Sequence, residues 1–312
     1  MIFDPREHKL IDGCNEFAQS PQAIVFEGFV RIYFSTRKLE PMSKMYSSHV
    51  CYVDFDKRLK DILAIADETV IPLGELGCFD EHGIFPLSPL RHGNRIWAYT
   101  CGWSRRKSVS VETAIGFAES VDGGRTFRKL GNGPIMSASH QESCLVGDAF
   151  VKHYEGQFHM WYMFGTGWKR FDDNSPPDRV YKIGHATSLD GINWSRKHGH
   201  QVISDSLHGD ESMALPTVFH HNDMYHMIFC FRESFDFREN SSRSYKLGYA
   251  YSNDLITWER NDSLLGLSCS DEGWDSEMLC YPHVFNVGKK IYLLYNGNKF
   301  GKHGFGLAVL KS

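Results

Sequence analysis

One phrase, written repeatedly along the chain, limits the folds open to it. A loop rich in acidic residues leads through a short apolar strand, often with a proline, into a hairpin and a second, aromatic strand. The clear copies are Glu81-His82-Gly83-Ile84-Phe85-Pro86 before Arg95-Ile96-Trp97-Ala98-Tyr99, and Glu211-Ser212-Met213-Ala214-Leu215-Pro216 before Tyr225-His226-Met227-Ile228-Phe229. Two more are Glu277-Met278-Leu279-Cys280-Tyr281-Pro282 before Ile291-Tyr292-Leu293-Leu294-Tyr295, and Glu16-Phe17-Ala18-Gln19-Ser20-Pro21 before Val30-Arg31-Ile32-Tyr33-Phe34. In these four a glutamate stands five residues before the proline. A looser fifth copy runs from Glu142 through Asp148-Ala149-Phe150-Val151 to Phe158-His159-Met160-Trp161-Tyr162. A period of about sixty residues is too long for a solenoid repeat and suits a four-stranded propeller blade with long loops.

A second phrase keeps the same period. Ile115-Gly116-Phe117-Ala118-Glu119-Ser120-Val121-Asp122-Gly123 ends at Phe127, Ile183-Gly184-His185-Ala186-Thr187-Ser188-Leu189-Asp190-Gly191 ends at Trp194, and Leu247-Gly248-Tyr249-Ala250-Tyr251-Ser252-Asn253-Asp254 ends at Trp258. Each reads as an alternating strand, an Asp-containing turn, and an aromatic that opens the next strand. The small residues in each copy are expected to let a neighbouring sheet approach closely. The fold class is therefore all-β: a single domain over residues 1–312, built as a five-bladed β-propeller of four-stranded antiparallel blades.

The blades are expected at about residues 11–73, 80–136, 141–204, 210–267 and 275 to the end. The last stops after its third strand, Phe305-Gly306-Leu307-Ala308-Val309-Leu310. An open ring would leave an unpaired edge, so residues 2–10 are expected to supply the missing strand and close the ring.

Composition narrows the partners. A formal charge of −4 leaves no net basic surface for phosphates, which argues against nucleic acid. No run of about 18 apolar residues appears, so membrane insertion is not expected. The N-terminus has no apolar signal region. The eight cysteines show no close-spaced pairs of the zinc or redox type, and Cys51, Cys101, Cys144, Cys230 and Cys280 sit inside strands. Buried free thiols point to a reducing compartment, the cytoplasm. The sixteen histidines include no pair with ligand spacing except His220-His221 in a turn, so neither a metal nor another cofactor is expected.

In a propeller, the loop before each first strand and the loop after each second strand share one face. The first set holds Asp80, Glu81, His82, Glu142, Glu211, Asp275 and Glu277. The second holds Arg37, Trp103, Arg105, Trp168, Lys169, Arg170, Arg232, Asn296 and Asn298. Carboxylates converging on one pocket with indoles at its rim is what sugar chemistry requires. One protonated acid serves the leaving oxygen, and a second carboxylate activates water or attacks carbon. Aromatic faces stack on sugar rings, while amides and guanidinium groups bind hydroxyls. Asp148, Glu142, Glu211 and Glu277 are the candidates for acid, base and orienting roles, followed by Glu81. Substrate binding is expected from His82, Asp80, Trp103, Arg105, Trp168, Arg232, Asp275, Asn296 and Asn298. The cationic loops Arg105-Arg106-Lys107 and Lys169-Arg170, beside Trp103 and Trp168, suit an anionic ligand such as an acidic sugar or a sugar nucleotide.

The five repeats, the acidic loop before each first strand and the Gly-x-Ala-x-Ser-x-Asp-Gly-x-x-Trp phrase together resemble the five-bladed propeller glycosidase superfamily. That group includes arabinanases and xylosidases, invertase-like fructosidases and mannoside phosphorylases. Gly77-Cys78-Phe79-Asp80-Glu81-His82-Gly83, Gly273-Trp274-Asp275-Ser276-Glu277 and Tyr295-Asn296-Gly297-Asn298 are similar to uncharacterised bacterial propeller proteins associated with surface-polysaccharide genes. Arabinanase-like enzymes carry an Asp just before the proline in blades one and three, and a Glu ahead of it in blade four. Here Asp148 keeps that place in blade three with Ala149 in place of proline, whereas Ser20 and Leu215 stand in the others. The resemblance implies a carbohydrate-active enzyme, glycoside hydrolase-like, that cleaves or transfers a glycosyl group. Two alternatives remain open: a non-catalytic glycan- or sugar-nucleotide-binding propeller, and an isomerase or lyase using the same pocket.

Overall fold

Both repeated phrases become strands that follow one another in antiparallel groups. The structure is a computed structural model that describes residues 1–11 and 13–311. It is all-β, with 52% strand and 5% helix. The first unit contains β1 (Cys14–Val25), β2 (Phe29–Leu39), β3 (Tyr46–Asp56) and β4 (Ile62–Ile65). The second contains β5 (Gly83–His92), β6 (Arg95–Arg105), β7 (Val111–Ser120) and β8 (Arg128–Lys129). The third contains β9 (Cys144–Tyr154), β10 (Gln157–Lys169), β11 (Asp178–Ser188) and β12 (Ser195–Arg196). The fourth contains β13 (Ser212–His221), β14 (Met224–Arg232), β15 (Lys246–Ser252) and β16 (Glu259–Arg260). The last has β17 (Cys280–Val287), β18 (Lys290–Asn296) and β19 (Phe305–Val309). A single parallel contact, Ser48 with Gly83, joins the first two units into one sheet.

The first strands pack on one another in sequence: β1 on β5, β5 on β9, β9 on β13, β13 on β17, and β17 back on β1. Beside β19 the N-terminus makes one isolated antiparallel bridge, Phe3 with Phe305. Ile2 N–H donates to Phe305 O at 3.0 Å and Phe305 N–H to Phe3 O at 3.2 Å. The pairing does not run on, because the chain turns into a 3-10 helix over Pro5–Glu7. Pro5 has no N–H to give a ladder, and the Asp4 carboxylate accepts from Arg6 N–H at 3.0 Å, capping that turn.

Every first strand carries an extra residue at the same place. Between paired positions Gln19 and Gln22, Ile84 and Leu87, Gly147 and Phe150, Ala214 and Thr217, and Cys280 and His283, the strand advances three residues while its partner advances two. These bulges hold Ser20-Pro21, Phe85-Pro86, Asp148-Ala149, Leu215-Pro216 and Tyr281-Pro282. A bulged residue is unpaired, so a proline without an N–H costs the ladder nothing there. Ser20, Asp148, Leu215 and Tyr281 adopt φ of 52°, 52°, 50° and 58°, the left-handed region that side chains other than glycine rarely occupy. The repeated proline is thus the mark of a strained bulge that re-aims one side chain per unit.

The second phrase builds the turns at the opposite end. Ser188 Oγ donates to Asp190 Oδ1 at 3.0 Å, and that oxygen accepts from Ile192 N–H and Asn193 N–H at 2.9 and 2.8 Å. Ser252 and Asp254 repeat this around Ile256 and Thr257. The amide bonds from Thr257 and Ile256 hold the Asp254 carboxyl down at about 2.

The glycines of that phrase serve their own sheet rather than a neighbouring one. Gly184 pairs with Tyr162 and Gly248 with Phe229 across adjacent strands. A Cβ at either position would meet those rings at 2.8 and 2.5 Å. The expectation of close sheet-to-sheet approach is therefore corrected: each glycine makes room for the aromatic directly opposite.

All eight cysteines are free thiols, and six of them are buried. Among the described residues no helix is long and apolar enough to cross a membrane.

Candidate active site

The bulges face a cavity of about 410 Å³ where the starts of the first strands meet the ends of the second. All five units line it. Phe17, Arg37, Tyr46 and Ser48 come from the first, and Phe85, Cys101, Trp103, Arg105, Val111 and Thr113 from the second. The third supplies Leu145, Asp148, Met163, Arg179 and Tyr181. The fourth gives Ala214, Phe237, Arg238 and Tyr245, and the last gives Tyr281 and Phe300.

Asp148 is the only carboxylate lining the cavity among the described residues. Its bulge places it 6% exposed beneath the opening. Burial pushes its carboxyl up to about 7, against the opposing pull of a hydrogen bond from Cys101 and of the Arg179 charge. Burial also raises the Cys101 thiol well above its ordinary value, and the Asp148 charge adds to this, so Cys101 stays a neutral donor. Asp148 therefore exchanges a proton near neutral pH while the groups around it do not. Burial holds the phenols of Tyr245 and Tyr281 well above their ordinary value.

The structure does not bring the five candidate carboxylates together. Glu142 is fully buried: Oε1 accepts from Tyr162 Oη at 2.6 Å, and Oε2 lies 3.0 Å from Arg196 Nη2. Glu211 is also fully buried, with Oε1 accepting from Arg260 Nη1 at 2.7 Å and Oε2 from Ser206 and Leu207 N–H at 2.7 and 2.8 Å. Each carboxylate uses its lone pairs inside its own unit, between the loop before the first strand and the fourth strand. Glu277 is exposed away from the cavity, and Glu81 accepts from Gly77 N–H at 3.0 Å in its own loop. The expectation that Glu81, Glu142, Glu211 and Glu277 surround the same pocket is thus not met, because anchoring bonds claim three of them and the loop carries the fourth outward.

The binding candidates divide in the same way. Trp103 and Arg105 line the cavity. His82 stands behind them, its ring 5.9 Å from Trp103 and its Nδ1 accepting from Arg105 N–H at 3.4 Å. Asp80 is buried against Lys129, and Asp275 accepts from Tyr295 Oη at 3.0 Å. Arg232 is sealed beneath the cavity wall, its guanidinium 3.6 Å from the Phe237 ring centre and its Nε donating to Tyr181 Oη at 3.2 Å. Trp168 lies one layer back, 5.7 Å from the Arg179 guanidinium. Asn296 donates to Ala18 O and Gly304 O at 2.8 and 2.7 Å and accepts from Ser20 N–H, tying the last unit to the first. Asn298 holds its own loop by accepting from Glu277 N–H at 2.8 Å. These seven support the wall; they do not form it.

Sequence reasoning missed Arg179, Arg238, Tyr245 and Tyr281. Tyr281 had a signal, since it occupies the bulge position of Asp148. Lys169 pairs with Asp210 and Arg170 with Ser175 O in their own loops, so this cationic pair points elsewhere.

No protein-family model matches the chain. Two Mycobacterium tuberculosis proteins, the uncharacterized proteins MT1551 and Rv1502, are each 30% identical to it over 304 residues, covering 97% of this chain and 95% of theirs. Among solved structures, a BT0996 complex with RGII superposes with a TM-score of 0.73 at 16% identity, covering 99% of this chain and 91% of that protein. A thermostable family-43 glycoside hydrolase superposes with a TM-score of 0.68 at 13% identity, covering 95% and 90%. The chain therefore belongs to one family with the two mycobacterial proteins, and its fold is that of the propeller glycosidase superfamily.

Proposed function

We propose that this chain is a carbohydrate-active, glycosidase-like enzyme, five blades closed into one ring, in which Asp148 moves a proton at the axial cavity. The ring reading is supported by the cycle of first-strand contacts from β1 round to β17 and back, by the Phe3–Phe305 bridge, and by Asn296 reaching Ala18 and Ser20. Free thiols throughout suit a reducing compartment such as the cytoplasm. The resemblance to polysaccharide-associated propellers suits a role in surface-glycan metabolism.

The observation that carries the chemistry is the Asp148 carboxyl at about 7. A group poised there gives a proton to a leaving glycosidic oxygen, or takes one from an attacking hydroxyl, at neutral pH. Phe17, Phe85, Trp103 and Phe300 supply apolar faces for a sugar ring. The cavity is of ordinary size for a small ligand.

One observation favours a second reading, a glycan- or sugar-nucleotide-binding propeller without turnover. Ordinary glycoside hydrolysis uses two carboxyl groups roughly 5–9.5 Å apart, and Asp148 lines the cavity alone among the described residues. Incubating the protein with a panel of oligosaccharides and sugar nucleotides, and following products by mass spectrometry, separates the two. With the true substrate, Asp148→Asn is expected to lower turnover by roughly a hundred- to ten-thousandfold with little change in affinity. Binding without product across the panel overturns the enzyme reading in favour of the binder.

A further inference from the structure

The cavity holds far more positive charge than its acid can balance. Arg37, Arg105, Arg179 and Arg238 line it, and none of the four makes an ion pair with a carboxylate among the described residues. Their contacts are to neutral groups. Arg37 Nε donates to Gln19 Oε1 at 2.9 Å, and its guanidinium lies 4.6 Å from the Phe17 ring centre. Arg179 Nη1 donates to Ser110 Oγ at 3.2 Å, and Arg105 Nη2 to Tyr46 O at 2.6 Å. Arg238 rests 4.6 Å from the Phe237 ring centre and 5.3 Å from that of Phe300. Each side chain is thus held by rings or neutral acceptors, which leaves donor N–H groups free to turn inward.

These cations also act on one another. Burial lowers the Arg37 pKa, and the nearby Arg238 and Arg179 charges lower it further against the opposing effect of Tyr281. Crowding guanidinium groups from three units into a partly closed space, with one weak acid among them, is unfavourable until a counter-charge arrives. The rest of the chain does the opposite: its buried Arg31, Arg196 and Arg260 each have a carboxylate partner.

We infer that the axial cavity recognises an anionic sugar, and that Arg37, Arg179 and Arg238 grip its oxyanion while Arg105 guards the rim. The inference rests on reading the cavity as a carbohydrate site, and it names the class of carbohydrate. Planar guanidinium groups match phosphate and carboxylate oxygens through paired N–H bonds, and either group satisfies the chemistry. A phosphorylated sugar and a uronic acid are therefore the two sources to distinguish.

Calorimetry on the full-length protein at low and at moderate salt, with glucose, glucose 1-phosphate, glucuronate and inorganic phosphate as probes, tests it. At least one of the charged probes should bind about tenfold or more tightly than glucose, weakening as salt rises. The ratio of glucose 1-phosphate to glucuronate identifies the source. Arg179→Gln and Arg37→Gln should each weaken the charged probe by roughly ten- to a hundredfold, whereas Asp148→Asn should leave it bound as tightly or more so. Exposed Arg238→Gln keeps the test valid if a buried variant fails to fold. Equal affinity for glucose and all charged probes, or unchanged binding in folded arginine variants, overturns the inference. Anion binding without turnover of any sugar would leave it standing while removing the enzyme reading. Turnover of neutral glycans without preference for charged ones would do the reverse.

Discussion

Arg260 meets Glu211 at 2.7 Å inside the fourth unit, and neither side chain reaches solvent beyond 4%. Arg196 holds Glu142 in the third unit at 3.0 Å, and Lys129 holds Asp80 in the second. In each case an acid in the loop before the first strand is fastened to a cation on the fourth strand of the same unit. The clasp closes the loop over the sheet and fixes where the first strand starts, and with it the direction of the bulge.

Breaking one half of that clasp should cost stability and leave cavity chemistry intact. Glu211→Gln leaves Arg260 buried with only part of its counter-charge, since Asp262 Oδ2 still lies 2.9 Å from Arg260 Nη2. A loss of up to about 3–5 kcal/mol is expected from removing one partner of a buried pair, read by denaturant unfolding. Replacing both, Glu211→Leu with Arg260→Met, should recover much of it. A Gln variant as stable as the parent but without turnover would return Glu211 to the proton-transfer role that its place in the sequence suggested.

Gly248 tests the cross-strand fit. An added Cβ would stand 2.5 Å from Phe229 Cζ, in a fully buried ring. Gly248→Ala should destabilise by roughly 1–3 kcal/mol, the usual cost of overpacking. Gly209, with nothing within 4 Å of its Cβ position, is the control, and its alanine variant should unfold like the parent.

Much of the architecture was legible because each unit repeats its own requirements. Prolines at 21, 86, 216 and 282 mark bulges, and Ser188-x-Asp190 marks a turn that the chain must close the same way each time. The glutamates misled for the same reason, since a residue repeated in several units serves what every unit needs. Lys129, Arg196 and Arg260 each stand two residues after the aromatic that ends the second phrase (Phe127, Trp194, Trp258), and pairing them with the upstream acids would have exposed the clasp. Asp148 was legible because it breaks the repeat, an acid where the other copies place Ser20, Phe85, Leu215 and Tyr281. Arg179, Arg238 and Tyr245 were not, because their loops share no common length or register. Only the folded ends of β10, β11 and β14 carry them over the axis.

The Asp148 carboxyl makes stability depend on pH in an unusual direction. Its pKa rises from the ordinary value of 3.8 to about 7 on folding, so the native state binds the proton more tightly than the unfolded chain. That contribution is complete below about pH 4, declines as pH rises, and is gone above about 7. It amounts to at most about 4 kcal/mol for a shift of this size. Asp148→Asn, which cannot ionise, should match the parent near pH 4 and exceed it in melting temperature at pH 8. Parallel melting curves for the two proteins from pH 4 to 8 would show that Asp148 is not held in a desolvating site.

Cys101 offers a finer handle on the same proton. Its thiol hydrogen bond is what favours the ionised form of Asp148 most, ahead of the more distant Arg179 charge. Cys101→Ala removes that donor and leaves burial unopposed except by Arg179, so the carboxyl should titrate above its parent value of about 7. Cys101→Ser supplies a stronger donor of similar size and should bring it below. The carbonyl stretch of the protonated acid, followed by infrared difference spectroscopy against pH with Asp148→Asn as the blank, reports the shift without a substrate. Activity carried by the protonated acid should extend to higher pH in the alanine variant and retreat in the serine variant. A purely structural role for Cys101 would lower stability in both and move neither titration.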